Sequence, residues 1–268
     1  MELKCKINGE EVTLRAEPTA RLRDVLYRAG YRSVRDSDDA EGFAGSDTIV
    51  FNGKLKYANF ILFYQAEGAE IRTAESLLNG RELNNVQKAM VAAGIVQSAY
   101  NAPAAALILT WLLEQKPNPT REEIKDVLTS IFIRDAGYEH YYLAVKLATE
   151  LRDFGEFRSE IAPSFRPSLE VVGKPCGKID GAALVSGEPV FVEDKVPENA
   201  WCLHVLRSPF ASAYIKSIDT SEAEKLPGVA AVLDYTAIPG KNRFGIIVKD
   251  EPCLVDDKVR RYGDAIAV

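Results

Sequence analysis

Cysteine is scarce in this chain, and histidine scarcer. Of 268 residues four are cysteine (Cys5, Cys176, Cys202, Cys253) and two are histidine (His140, His204). No two cysteines stand at C-x-x-C spacing, so neither a zinc knuckle nor a disulfide framework is suggested. Two histidines far apart in sequence leave little from which to build a metal centre or a His-based triad. Gly-rich phosphate loops are missing as well. There is no G-x-G-x-x-G and no G-x-x-x-x-G-K-S/T, so nucleotide binding is unsupported. Positive charge is in deficit: 33 Lys+Arg against 39 Asp+Glu gives a net charge of −6, which disfavours a nucleic-acid surface. No stretch approaches the roughly 20 apolar residues that span a bilayer. The longest greasy run, Ala102 to Leu113, is broken by Pro103 and Thr110 and suits a buried helix. The first residues, Met1 to Lys6, lack the apolar core of a secretory signal. The expected compartment is therefore the cytoplasm.

What is present is an ordinary soluble composition, 47% apolar and 27% charged. At roughly 150 residues per domain the length allows about two domains, or three small ones. The first piece, residues 1–78, reads as strands around one helix. Leu3, Cys5 and Ile7 alternate with charges, Asn8-Gly9 turns, and Val12 and Leu14 alternate again. A helix is expected over Thr19 to Ala29, with Gly30 just past its end. A polar, acidic loop follows from Asp36 to Ser46. Ile49 to Phe51 resumes a strand, Asn52-Gly53 turns, and Phe60 to Tyr64 is a further apolar run. Two hairpins with a helix between them suggest a β-grasp. The acidic side chains Asp36, Asp38, Asp39 and Glu41 read as a solvated loop, since their spacing does not match a calcium loop.

The second piece, 79–155, is helical. Leu83, Val86, Met90 and Ala93 fall at helical spacing. Pro103 suits the first turn of a second helix, where its missing N–H is not needed. Thr120 with Glu123 forms a capping box for a third helix that buries Ile124, Val127 and Leu128. Tyr141, Val145 and Ala148 mark a fourth. Residues 156–172, with Pro163 and Pro167, read as a linker. The third piece, 173–268, is mixed, with strand-like runs at Trp201 to Leu206, Val229 to Tyr235 and Phe244 to Val248. A short helix is expected at Ser221 to Glu224. Ala265 to Val268 reads as a strand cut off in mid-course, so the chain is expected to be part of a larger protein with an open strand edge. His204 sits in a strand-like run and reads as structural, Cys202 in the same run reads as a small core hydrophobe, and His140 at a helix start reads as a surface or bundle-packing residue.

The third piece resembles the α/β-hammerhead domain of the xanthine dehydrogenase and aldehyde oxidoreductase family of molybdenum hydroxylases. The resemblance is carried by Val172-Gly173-Lys174-Pro175, Asp180-Gly181, Gly187-Glu188, Leu206 to Ala211, Ile215 to Asp219, Leu226-Pro227-Gly228-Val229, Pro239-Gly240 and Val259 to Asp264. It departs at Phe210 and Ser212, where relatives often carry histidine. The first two pieces resemble the same family's iron–sulfur half. The marks are Asn8-Gly9, Leu22 to Leu26, Gly42, Gly45, Asn52-Gly53, Ile71 to Glu75, Val96-Gln97, Pro117 to Thr120 and Gly137-Tyr138. The resemblance implies an α+β chain: a ferredoxin-like β-grasp domain, a four-helix bundle and an α/β-hammerhead domain. The family's flavin domain, when in the same chain, lies between bundle and hammerhead, and here a short linker takes its place.

Lining up on that family places the ligands of the first 2Fe–2S cluster at Asp39, Ala44, Asp47 and Asn59. Those of the second fall on Ser98, Asn101, Ile133 and Asp135. None is cysteine, and soft thiolates are what hold such irons. No metal or cofactor is expected in this segment, and the emptied loops need another means of support. The family's pterin contacts fall on Gln97 and Asp135, where a carboxylate still accepts a hydrogen bond from a pterin amine. The molybdopterin cofactor itself is expected only in a full-length parent, through domains following residue 268. By resemblance that parent hydroxylates a purine, N-heterocycle or aldehyde with oxygen from water. This segment would be structural and inactive alone, and electrons would leave by another route such as a partner subunit. Self-association through the open hammerhead edge is a further expectation. An alternative reading is a non-catalytic scaffold or assembly module derived from the family. A third, a small-ligand binder, requires a cavity beside Asp39, Ala44, Asp47 and Asn59.

Overall fold

The computed structural model describes residues 1–36, 42–132, 134–150, 178–188, 191–197 and 199–268, which form two compact units, 1–195 and 196–268. In the first unit, β1 (Glu2–Ile7) buries Leu3, Cys5 and Ile7 and pairs antiparallel with β2 (Glu10–Arg15). The turn between them holds Asn8 at φ 52° and Gly9 at φ 90°. Both values are the left-handed conformation that a two-residue hairpin turn demands. The same device, Asn52 at 48° and Gly53 at 79°, joins β3 (Thr48–Phe51) to β4 (Lys54–Tyr57). A short β5 (Glu70–Arg72) lies between the hairpins, parallel to β1 and antiparallel to β3, giving the order β2-β1-β5-β3-β4. This is the expected β-grasp.

The helix expected from Thr19 begins only at Leu22, as α1 (Leu22–Arg28). The preceding residues are tied to a neighbouring segment instead: the Leu22 N–H donates to the Ile61 carbonyl at 2.8 Å, and the Phe63 N–H to Ala20 at 2.8 Å. The apolar run Phe60 to Tyr64 is not a strand. It falls across two 3₁₀ turns, Ala58–Phe60 and Phe63–Ala66, that deliver Ala58, Phe63 and Ala66 to the core beneath α1.

The helical part follows as expected: α2 (Asn85–Ala92), α3 (Ala102–Gln115), α4 (Arg121–Leu128) and α5 (Tyr138–Glu150). Pro103 sits in the first turn of α3, and Thr120 with Glu123 caps α4 reciprocally. Ile124 and Leu128 are buried, as are Tyr141, Val145 and Ala148. A fifth helix, α6 (Gly181–Ser186), joins this core through Leu184 and Val185, and the Gln87 Nε2 donates to the Val185 carbonyl at 3.2 Å. Two apolar cores thus lie in one unit, and polar bonds cross between them. The Arg72 guanidinium makes a bidentate pair with Glu114 at 2.7 and 2.9 Å. The Trp111 indole donates to the Gly53 carbonyl at 3.0 Å.

The compact units are larger than the expected domains. The β-grasp and the bundle share one unit, and residues 178–195 belong to it, because α6 buries its apolar face on α2 and α3. The linker expected at 156–172 lies outside the described residues.

The second unit holds short strands: β6 (Leu206–Arg207) with β9 (Ala265–Ala267), and β7 (Ala213–Tyr214) with β8 (Lys258–Val259). A one-turn α7 (Ser221–Glu224) stands where expected. The three long strands expected at 201–206, 229–235 and 244–248 are not formed. Their side chains lack a buried face: Trp201, Leu203, Leu233, Phe244 and Ile247 are exposed, and the buried apolar side chains of this unit are Val255, Val259 and Ala267. Nor is the terminal strand bare. The Val268 N–H and carbonyl exchange bonds of 2.9 and 2.7 Å with Leu233, while β6 flanks the same segment.

Candidate functional site

The residues at the eight family ligand positions come from three places: the loop before β3, the 3₁₀ turn after β4, and the segments that lead into α3 and α5. Asp39 and Ile133 lie outside the described residues. The other six are close-packed around one seam in the first unit.

Asp47 is buried at the start of the loop's return to β3. Its Oδ2 accepts the Asn59 backbone N–H at 2.7 Å, and its own carbonyl accepts Ala58 N–H at 3.1 Å. Asn59 is also buried, and its amide donates to Asp36 Oδ1 at 3.1 Å. Burial pushes the Asp47 carboxyl above its ordinary range, and the Asn59 N–H and nearby Arg23 offset only part of that rise. Ala44 takes part through its carbonyl, which accepts from the Asn101 side-chain amide. Asn101 precedes α3, and its Oδ1 accepts from Ser98 Oγ at 3.3 Å. Asp135 accepts the Ser98 backbone N–H. Its carboxyl is raised by burial, against the lowering pull of that N–H and of Lys178.

The two loops are closed on each other by backbone as well. The Phe132 N–H donates to the Phe43 carbonyl at 2.7 Å, and Gly45 packs against the Ser130 carbonyl. The base of the first loop is pinned at Arg35 and Ser46, whose backbones meet at 3.3 Å, with Ser46 Oγ donating to the Arg35 carbonyl at 3.1 Å. The Arg35 side chain is buried and paired with Asp194 at 2.8 Å, stacked over Phe191 at 4.5 Å. Asp194 also accepts from the Tyr27 hydroxyl at 2.7 Å and the Phe191 N–H at 3.1 Å. Burial works to raise the Asp194 carboxyl, but Arg35, Tyr27 and the Phe191 N–H together hold it below the usual range.

Gln97 and Asp135 are brought to the same end of the bundle through Ser98. Gln97 is exposed, its amide donating to the Gly94 carbonyl at 2.7 Å, and Lys178 Nζ stands 3.4 Å from its carbonyl. His140 and His204 are both exposed, and neither is joined to the seam. Sequence reading missed Arg35 and Asp194, which are far apart in the chain and belong to no motif.

Comparison with known proteins fixes the lineage of these loops. Residues 186–268 match the family model for the aldehyde oxidase and xanthine dehydrogenase a/b hammerhead domain, and residues 73–146 match the 2Fe-2S binding domain. The chain is 47% identical over 267 residues to the probable hypoxanthine oxidase XdhD of Escherichia coli K12, covering 97% of this chain and 28% of that protein. It is 32% identical over 149 residues to the nicotinate dehydrogenase small FeS subunit of Eubacterium barkeri, covering 55% of this chain and 94% of the subunit. The chain belongs to the xanthine dehydrogenase and aldehyde oxidoreductase family. Its fold agrees with the aldehyde oxidoreductase of Desulfovibrio desulfuricans ATCC 27774, at a TM-score of 0.78 and 29% identity over 99% of this chain and 31% of that one. It therefore spans less than a third of these longer family members.

The family's 2Fe-2S binding domain carries an iron–sulfur expectation with it, and the residues of this chain do not fit that group. Cys5 is buried in β1, Cys253 is exposed in the second unit, Cys202 is exposed there too, against its reading as a core residue, because its strand-like run buries no face, and Cys176 lies outside the described residues. Among the described residues no three His, Cys, Asp or Glu side chains converge as metal ligands. At the seam the available groups are an alanine, two amides, a hydroxyl and two carboxylates. These are hard or non-ligating, and although Asp47 Oδ1 and Asn59 Oδ1 are buried without a partner, both are hard oxygen atoms and supply no thiolate.

Proposed function

We infer that this chain is the frame of a molybdenum hydroxylase, holding the molybdopterin-binding part of the enzyme in place without conducting electrons through iron–sulfur centres. The observation that carries this reading is a pair of iron–sulfur folds kept in outline while thiolates are missing from every ligand position. A conductor with no soft donors has lost its metal, and a fold kept without it serves by shape.

In this reading the whole enzyme hydroxylates a purine, N-heterocycle or aldehyde with oxygen drawn from water, and its electrons leave through a partner subunit. Gln97 and Asp135 are the chain's contacts to the pterin, the carboxylate accepting from its amine. When bound, the cofactor would supply the redox chemistry, and this chain's part is to position it. The sparse core of the second unit favours a cover by molybdopterin-binding domains: exposed Trp201, Leu203, Phe244, Ile246 and Ile247 are more apolar surface than a free-standing domain shows.

The test uses the full-length protein loaded with molybdenum cofactor, a dye as electron acceptor, and water carrying heavy oxygen. Label is expected in the hydroxylated purine, heterocycle or aldehyde. Absence of turnover on all three substrate classes by cofactor-loaded protein would favour the scaffold alternative.

A further inference from the structure

We propose that the side chains now standing at the former ligand positions are themselves the staple that closes both loops, with Asn101 at its centre. The proposal rests on the cluster-free reading and adds to it a role for named residues. A cluster held by four cysteines cross-links four points of a chain, and losing it returns loop entropy to the segments it held. Something in the folded protein must restrain those segments instead.

The bonds that do so are made by the replaced positions. Within the first loop, Asp47 receives the Asn59 N–H at 2.7 Å, and Asn59 reaches back to Asp36 at 3.1 Å. Within the second, Ser98 donates from Oγ to Asn101 and from its backbone to Asp135. Asn101 joins the two: its carbonyl oxygen belongs to the second loop and its amide donates to Ala44 in the first. The six described positions thus fall in two bonded sets: Asp47 with Asn59 brace the first loop, while Ala44, Ser98, Asn101 and Asp135 form the set that crosses to the second. Asparagine suits the central place because one planar group offers a donor and an acceptor on opposite sides. Alanine at position 44 contributes no competing polar side chain. The seam joins the β-grasp to the bundle, in keeping with residues 1–195 behaving as one compact unit.

Hydrogen exchange on the natural chain and on Asn101→Ala tests this. Asn101→Ala is expected to raise exchange about tenfold or more at residues 43–48 and 130–132, where the two loops meet, because local opening there loses its cross-link. Asn84→Ala serves as the control. Asn84 stands before α2 as Asn101 stands before α3, but its side chain caps its helix, Asn84 Oδ1 accepting the Gln87 N–H at 2.8 Å, and its loss is expected to lower the melting temperature while leaving those loops protected. Loops that stay protected in Asn101→Ala, or that open equally in both variants, overturn the proposal. If Asn101→Ala does not fold, Asn101→Asp takes its place, since it keeps the shape and the acceptor but loses the donor to Ala44. It is expected to open the same loops, and natural protection there would overturn the staple. Iron content is read on the same samples: iron in the natural chain sinks the cluster-free reading, while unchanged exchange without iron sinks only the staple.

Discussion

Arg35→Ala lowers the stability of the first unit by about 3–5 kcal/mol, the range for deleting one partner of a buried ion pair. Arg35 and Asp194 have side-chain exposures of 2% and 0%, so the carboxylate left behind cannot recover its hydration. Arg35 does more than pair: its guanidinium stacks on Phe191, and its backbone closes the base of the loop at Ser46. Segment 191–195, which Asp194 anchors, should therefore become protease-sensitive along with the loop. Replacing both partners by apolar residues, Arg35→Met with Asp194→Leu, should recover much of the loss, because no charge is then stranded. The pH dependence has a definite sign. The Asp194 carboxyl is lower in the folded protein than in the unfolded chain, so its contribution is present above the ordinary aspartate pKa of about 3.9 and is lost as pH falls through the folded value. Chemical denaturation at neutral and acid pH should show the difference between natural protein and Asp194→Asn shrinking as the solution is acidified.

Gly45→Ala is the second large effect, about 3 kcal/mol. Gly45 has φ +62°, a left-handed conformation that costs an L side chain roughly 1–2 kcal/mol. A Cβ there would also fall on the Ser130 carbonyl oxygen, which already accepts from the Tyr57 hydroxyl at 2.9 Å. Backbone cannot swing aside as a flexible side chain does, so the two loops must part, adding roughly 1–3 kcal/mol of overpacking. Gly53→Ala is the informative comparison: its φ is similarly positive at +79°, but no atom lies within 4 Å of its Cβ position. It should cost the conformational part alone. Thermal unfolding of the two variants separates strain from collision.

Local signals were legible in the sequence and distant ones were not. Asn8-Gly9 and Asn52-Gly53 announce their hairpins because the turn chemistry sits in two adjacent residues. Thr120 and Glu123 announce α4 for the same reason, each capping the other within one turn. The strand β5 was missed: three residues long, it is defined by pairing with β1 and β3, which no short window contains. In the second unit apolar runs were read as strands, but apolar character forms strands by burying one face, and Trp201 to Leu203 and Ile246 to Val248 are exposed. The absence of cysteine at the ligand positions was plain in the sequence. The bonds replacing it were not, since Asn101 meets Ala44 and Arg35 meets Asp194 only after the β-grasp and the bundle are folded together.

The most direct measurement is iron and acid-labile sulfide per chain in protein expressed in iron-replete cells and purified without oxygen, together with its visible absorption and the paramagnetic signal after dithionite reduction. A frame without thiolates at its ligand positions should carry background iron, no sulfide, no charge-transfer bands and no reduced-cluster signal. About two or more irons per chain with matching sulfide would contradict it.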